Sequence, residues 1–174
     1  YYAPGACSLA PHIALAEAGI AAEVIRVDLK SHTLPDGTDY HAVNPKGYVP
    51  VLELDDGSRF TEVAVLLQII ADRKPGALAP EVATIERYRL NEWLNFVATE
   101  IHKGYGTLWH PEVGEAAVAA ATKTLKKRYA YVETQLGKTQ YLAGNAFTIA
   151  DAYLFTVTNW SHFLKLDLSE FPHL

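Results

Sequence analysis

The chain opens on Tyr1-Tyr2-Ala3, which reads as the end of a strand, and Pro4-Gly5 marks a turn. From Ser8 the apolar residues Leu9, Ile13, Leu15 and Ala16 fall on helical spacing, and Gly19 is placed to cap the C-terminus. Ala22 to Asp28 alternates and is rich in β-branched residues, so it reads as a second strand. A polar loop from Lys30 to Tyr40 follows, and Asn44 to Gly47 forms a turn cluster ahead of a strand from Val49 to Leu54. Asp55-Asp56-Gly57 supplies a hairpin turn, Ser58 to Phe60 returns as a strand, and Glu62 to Asp72 is an apolar helix that stops near Pro75-Gly76.

Beyond Pro80 the strand signal ends. Ile85 to Lys103 carries Ile85, Tyr88, Leu94, Val97 and Ile101 on one predicted face; Ala116 to Leu136 and Thr148 to Leu164 read as two further helices. These patterns predict a βαβ-ββα domain over residues 1–74, a linker over 75–82 and an all-α domain over 83–174.

Charge narrows the partners. Twenty acidic against 15 basic residues, with no basic run longer than Lys126 to Arg128, argue against nucleic acid. No stretch approaches the roughly 20 apolar residues of a membrane span, and no leader-like segment precedes the first strand, so a cytoplasmic protein without membrane partners is expected. The single cysteine, Cys7, excludes an internal disulfide framework and a cysteine-rich metal site. Cys7 is either a reactive thiol or a small buried residue. No metal is expected.

Position favours the first reading, because the free N–H groups at a helix start stabilise a thiolate. Ser8 beside it could cap the helix or donate to a bound sulfur. Val49-Pro50 begins a strand with proline, which is tolerated where the missing N–H is not required or where the bond is cis. Glu62 at the start of the next helix suits the helix dipole, and could equally pair with a ligand ammonium while the N–H groups there bind its carboxylate. Asn95, Thr99 and His102 are spaced to share one helical face. Tyr105, Trp109 and Trp160 could line an apolar pocket or belong to the core. Thr148 and Asp151 have capping-box spacing and are read as structural.

Four separated segments, Tyr1 to His12, Asn44 to Pro50, Glu92 to Gly104 and Phe147 to Phe155, together resemble the beta-class bacterial glutathione transferases over nearly the whole chain. That resemblance implies a thioredoxin-like N-terminal domain followed by an all-α domain, with glutathione as co-substrate and no metal. It implies that Cys7 forms a mixed disulfide with glutathione and that His102 lies near the same sulfur. Ser8, His32, Val49, Pro50, Glu62, Val63, Asn95 and Thr99 are the implied glutathione contacts. Trp160 is the implied aromatic of the electrophile pocket, which Tyr105 and Trp109 are candidates to line with it.

Two positions depart from the pattern: Val63 where members often have Ser, and His32 where they often have Lys. Weaker electrostatics toward the ligand are expected there. The chain lacks an initial methionine, and the family continues past the equivalent of Leu174, so both ends are expected to be short. The expected activity is detoxifying conjugation of glutathione to apolar electrophiles by a homodimer, with monothiol exchange at Cys7 as a second route. A non-catalytic binding protein of the same fold is the alternative.

Overall fold

The computed structural model describes residues 1–174. Ten residues, Leu9–Ala18, form α1, and Gly19 closes it in the left-handed conformation with its N–H on the carbonyls of Leu15 and Ala16. The buried stripe is Ala10, Ala14 and Ala18, with Pro11 in the first turn, where its missing N–H costs nothing. The expected apolar residues are not the buried ones: Leu9 is 37% exposed and Ala16 lies at the surface. α1 packs against α2 (Val63–Asp72), whose Leu67, Ile70 and Ala71 are buried, and three alanines let the two backbones approach closely.

The sheet is short. β1 (Leu52–Glu53) and β2 (Arg59–Phe60) form an antiparallel hairpin closed by the Asp55-Asp56-Gly57 turn. The expected strand over 22–28 is reduced to a parallel bridge between Tyr2 and Arg26, fixed by Tyr2 N–H to Ile25 and Val27 N–H to Tyr2. On its other side the opening strand exchanges bonds between Tyr1 and Val51. Ala3, Val27, Tyr40, Val49 and Val51 make a small core there.

The remaining chain is helical, in α3 (Ile85–Phe96), α4 (Glu115–Leu136), α5 (Ile149–Thr158) and α6 (Trp160–Leu164). Where one helix from Ile85 to Lys103 is expected, α3 gives way to a π-helical segment over Val97–His102 and then to a tight 3₁₀ turn over Lys103–Thr107. The widened turn shifts which side chains point inward. Leu94, Val97 and Ile101 are buried as expected, but Ile85 and Tyr88 are 69% and 58% exposed. In their place Arg87 turns in, donating to Asp72 at 2.8 Å and to the Pro80 carbonyl at 3.1 Å. This ties the end of α2 to the start of α3.

The stretch over 75–82 is anchored. Leu78 and Ala79 are buried, and Leu78 accepts a hydrogen bond from the Ile149 amide. The third expected helix is broken at Asn159 into α5 and α6. Its start follows expectation: the Asp151 carboxylate accepts from the Thr148 amide and hydroxyl, and also from the Leu142 amide. One large core runs from Ala10 and Leu67 through Leu94 and Ile101 to Tyr129 and Val157. The α/β half and the all-α half are thus packed as one body.

Candidate active site

Cys7 lies two residues before α1, where the strand turns into the helix. Its thiol donates to the Val49 carbonyl at 3.4 Å. The Val49-Pro50 bond is cis, and the Val49 amide makes no hydrogen bond within the chain. A buried tyrosine holds this loop in place: Tyr40 and Asn44 both donate to the Tyr48 carbonyl, at 2.8 and 2.7 Å.

Here the physical expectation for Cys7 is corrected. Burial is the largest influence on the thiol and pushes it up to about 11, while its own backbone amide and Lys103 act in the opposite direction. A helix start shifts an ion by at most about 2 kcal/mol, and desolvation outweighs it at this site. Cys7 is a thiol at neutral pH. Ser8 is 1% exposed and caps nothing; its hydroxyl donates to the Ala3 carbonyl and accepts from the Ala3 amide, locking strand end to helix start.

Glu62 sits at the N-terminus of α2 with φ of 69°, a conformation non-glycine residues rarely adopt. Such strain costs about 1–3 kcal/mol and collects at ligand clamps. The carboxylate is exposed and accepts from Lys46 at 2.7 Å, and that partner holds it below the usual carboxylate range. Lys46 also donates to Thr61 at 2.8 Å. The Val63 and Ala64 amides have no partner in the chain, so α2 presents free donors beside a fixed carboxylate.

His102 ends the π-helical segment, and its Nδ1 lies 2.6 Å from the hydroxyl of Tyr153 on α5. Its ring meets Trp160 edge-on at 5.0 Å. Trp160 in turn donates its indole N–H to the Gly5 carbonyl at 2.9 Å, two residues from Cys7. Burial first, and Lys103 second, hold His102 down at about 4. It is neutral at working pH. His102 is thus joined to Tyr153 directly and, through Trp160, to the turn that carries Cys7, and the charges of Glu62 and Lys103 act on both Cys7 and His102. Cys7, Glu62, His102, Lys103 and Tyr153 therefore occupy one neighbourhood between the two halves.

Against this geometry, "Glutathione S-transferase GstA" of Escherichia coli O157:H7 is 46% identical over 176 residues, covering 100% of this chain and 87% of its own length. The chain belongs to the glutathione S-transferases. Family models for the glutathione S-transferase N-terminal domain and C-terminal domain match residues 5–73 and 96–174. A glutathione transferase from Methylococcus capsulatus superposes with a TM-score of 0.96 at 51% identity, over 99% of this chain and 86% of its own. A sphingomonad glutathione S-transferase solved with glutathione gives a TM-score of 0.94 at 40% identity, over 99% and 86%. A bacterial beta-class glutathione S-transferase from Sphingomonas chungbukensis gives 0.93 at 42%, over 99% and 87%.

Within this glutathione S-transferase, the aromatic residues read as a pocket are distributed otherwise. Tyr105 is fully buried, with its hydroxyl 2.8 Å from that of Tyr129, so it belongs to the core and cannot line a ligand surface. Trp160 is 6% exposed and joins the two halves; Trp109, 44% exposed, is the member of the three whose ring reaches solvent. Thr99 donates back to the Asn95 carbonyl one turn earlier, and both residues are exposed on α3 and its extension. His32, with φ of 52°, packs at a tilt against His41, ring centres 4.6 Å apart, beside Gly47, and its Nδ1 is buried without a partner. A side chain on Gly47 would press on both imidazoles at about 3.0 Å.

A cavity of about 490 Å³ opens between Leu15, Ile25, Leu52 and Ile70, touching Ser8 and Pro50 but not Cys7, Glu62 or His102. The chemistry lies outside it. Sequence reasoning missed Lys46 and Tyr153. Lys46 stands inside the Asn44 to Pro50 segment, where a cation near a suspected carboxylate was a usable signal; Tyr153 stands inside the Phe147 to Phe155 segment, but nothing local links it to an imidazole 51 residues away.

Proposed function

We propose that this transferase binds glutathione across the junction of its two halves and directs the sulfur at electrophilic, largely apolar small molecules. The observation that supports the reading is the approach of His102, through Trp160, to the turn that carries Cys7, with Glu62 near enough for its charge to act on both. In this reading the unpartnered Val49 amide pairs with the glutathione backbone, with Pro50 setting the turn. Glu62 holds the γ-glutamyl ammonium, and the Val63 amide receives its carboxylate. We assign the unpartnered His32 Nδ1 to a terminal carboxylate of the ligand, and the exposed Asn95 and Thr99 to contacts from the helical half. Trp109 offers apolar surface to the electrophile.

The thiolate attacks the electrophilic carbon, a carbon–sulfur bond forms, the leaving group departs with its electron pair, and the thiol proton passes to water. Proximity and thiolate stabilisation are what the protein supplies. Whole-chain identity of 46% to a named transferase favours turnover over a non-catalytic binding role. The glutathione-bound sphingomonad relative supports the co-substrate, and the beta-class relative supports that class assignment.

A cytoplasmic, detoxifying homodimer completes the reading, with residues 1–74 as the glutathione-binding domain, 75–82 as the connection and 83–174 as the helical domain. Mixed-disulfide formation at Cys7 is a slower side route, because the thiol is protonated at neutral pH. The test is glutathione-dependent conjugation of an aryl halide followed by absorbance, with light scattering on the same sample. Saturable glutathione binding without product would overturn the catalytic reading, and a sole species of 19.2 kDa would overturn the dimer.

A further inference from the structure

The buried tyrosine behind His102 has no role in the site as described so far. Tyr153 is 2% exposed, and the one hydrogen bond its hydroxyl makes within the chain is the 2.6 Å contact to His102 Nδ1. His102 is clamped from two sides, its ring edge-on to Tyr153 at 5.7 Å and to Trp160 at 5.0 Å, and Trp160 is itself held by the Gly5 carbonyl. The ring cannot turn over without breaking this packing. Its other nitrogen, Nε2, makes no hydrogen bond in the chain, nor is it among the buried atoms left without a partner.

Proton accounting then decides the direction of the bond. Were Nδ1 the donor, the buried tyrosine hydroxyl would keep a hydrogen with no acceptor, and an unmade buried bond costs roughly tenfold to a hundredfold in population. With the hydroxyl donating to Nδ1, both buried groups are satisfied and the ring hydrogen sits on Nε2, the atom open to a ligand. We infer that Tyr153 is a positioning residue that fixes His102 in its Nε2–H tautomer, so that the imidazole donates to the glutathione sulfur and does not abstract its proton.

This rests on the glutathione reading above and deepens it. Charge supports it: His102 is kept neutral chiefly by burial, with Lys103 adding to that and Glu62 opposing it, and burial raises Tyr153 so that its hydroxyl stays protonated. As a fixed donor, His102 stabilises the attacking thiolate while the thiol proton leaves to water. An imidazole with Nδ1–H would present an acceptor to the sulfur and repel the thiolate.

Two measurements test it. Two-bond proton–nitrogen correlation spectra of the wild-type protein report which ring nitrogen of His102 carries hydrogen; Nε2–H is expected, and Nδ1–H overturns the inference without any variant being made. Tyr153→Phe removes only the hydroxyl. Its kcat for aryl halide conjugation should fall roughly three- to tenfold while KM for glutathione moves less than about twofold. The same spectra of the variant should show the ring hydrogen shared between both nitrogens, because the bond that selected Nε2–H is gone. An unchanged kcat and an unchanged tautomer in a folded variant would overturn the positioning role. Absence of conjugation by the wild type would instead remove the transferase reading, and the spectrum would still decide the tautomer.

Discussion

Alkylation of Cys7 separates the two effects that compete at this thiol. If burial governs, the group has a value of about 11 against an ordinary 9.0. At pH 8 an ordinary thiol is then about one-tenth ionised and Cys7 about one-thousandth, so ionisation alone makes Cys7 about a hundredfold slower toward a neutral reagent. The assay follows iodoacetamide addition by intact mass between about pH 7 and 11, with free glutathione as reference. The rate should rise close to tenfold per pH unit through about pH 10 and bend over only as it nears 11. Restricted access lowers every rate by one factor and leaves the position of the plateau unchanged. A plateau at or below pH 9 would show that the helix start and Lys103 outweigh desolvation, and the argument from burial would fail.

Three further outcomes follow from the same geometry. His102→Ala should lower turnover by roughly ten- to a hundredfold with a much smaller change in glutathione affinity by calorimetry; unchanged turnover between about pH 5.5 and 9 would make His102 an ordinary interdomain residue. Because His102 is held at about 4 in the fold against 6.5 when free, the unfolded chain takes up its proton first as pH falls. The stability this gives is present above about 6.5 and lost as pH drops through 4, so His102→Gln should flatten the urea midpoint across that window. Asp151→Ala removes three hydrogen bonds at the start of α5 and should cost about 3 kcal/mol in urea unfolding, with conjugation kinetics of the folded protein unaltered.

The elements were legible where local chemistry sufficed. Gly19 capped the helix, Asp55-Asp56-Gly57 turned the hairpin, and Thr148 with Asp151 opened α5, since each depends on residues within one turn. The buried faces were less legible. Hydrophobicity favoured Leu9 and Ala16 on α1, but the partner helix demanded close approach and took Ala10, Ala14 and Ala18. The π-helical segment at Val97–His102 follows from packing between distant helices and leaves no periodic mark in the sequence. Among the candidate site residues, Cys7 and Glu62 were legible from their position at helix starts. The Cys7 protonation state could not, because desolvation is set by residues that arrive from elsewhere in the chain.

Trp160 shows how far such a long-range contact governs the site. Its indole N–H is the direct bond between the helical half and the turn carrying Cys7, and its ring also packs edge-on against His102, Tyr105 and Trp109. Trp160→Phe keeps an aromatic edge but loses that bond, worth about 1 kcal/mol, and leaves an indole-sized shortfall worth about 1–2 kcal/mol more. The Gly5 backbone is exposed, so its carbonyl can turn to water and adds no orphaned-acceptor cost. A loss of about 2–3 kcal/mol is therefore expected in urea unfolding. Function should suffer in a different pattern from His102→Ala: with the Pro4 to Cys7 turn released, KM for glutathione should rise severalfold, and kcat should fall as the His102 clamp loosens. Retention of wild-type stability within about 0.5 kcal/mol together with an unchanged KM would show that the turn is held by the Ser8–Ala3 bonds alone. In that case the tryptophan would only fill space between the halves.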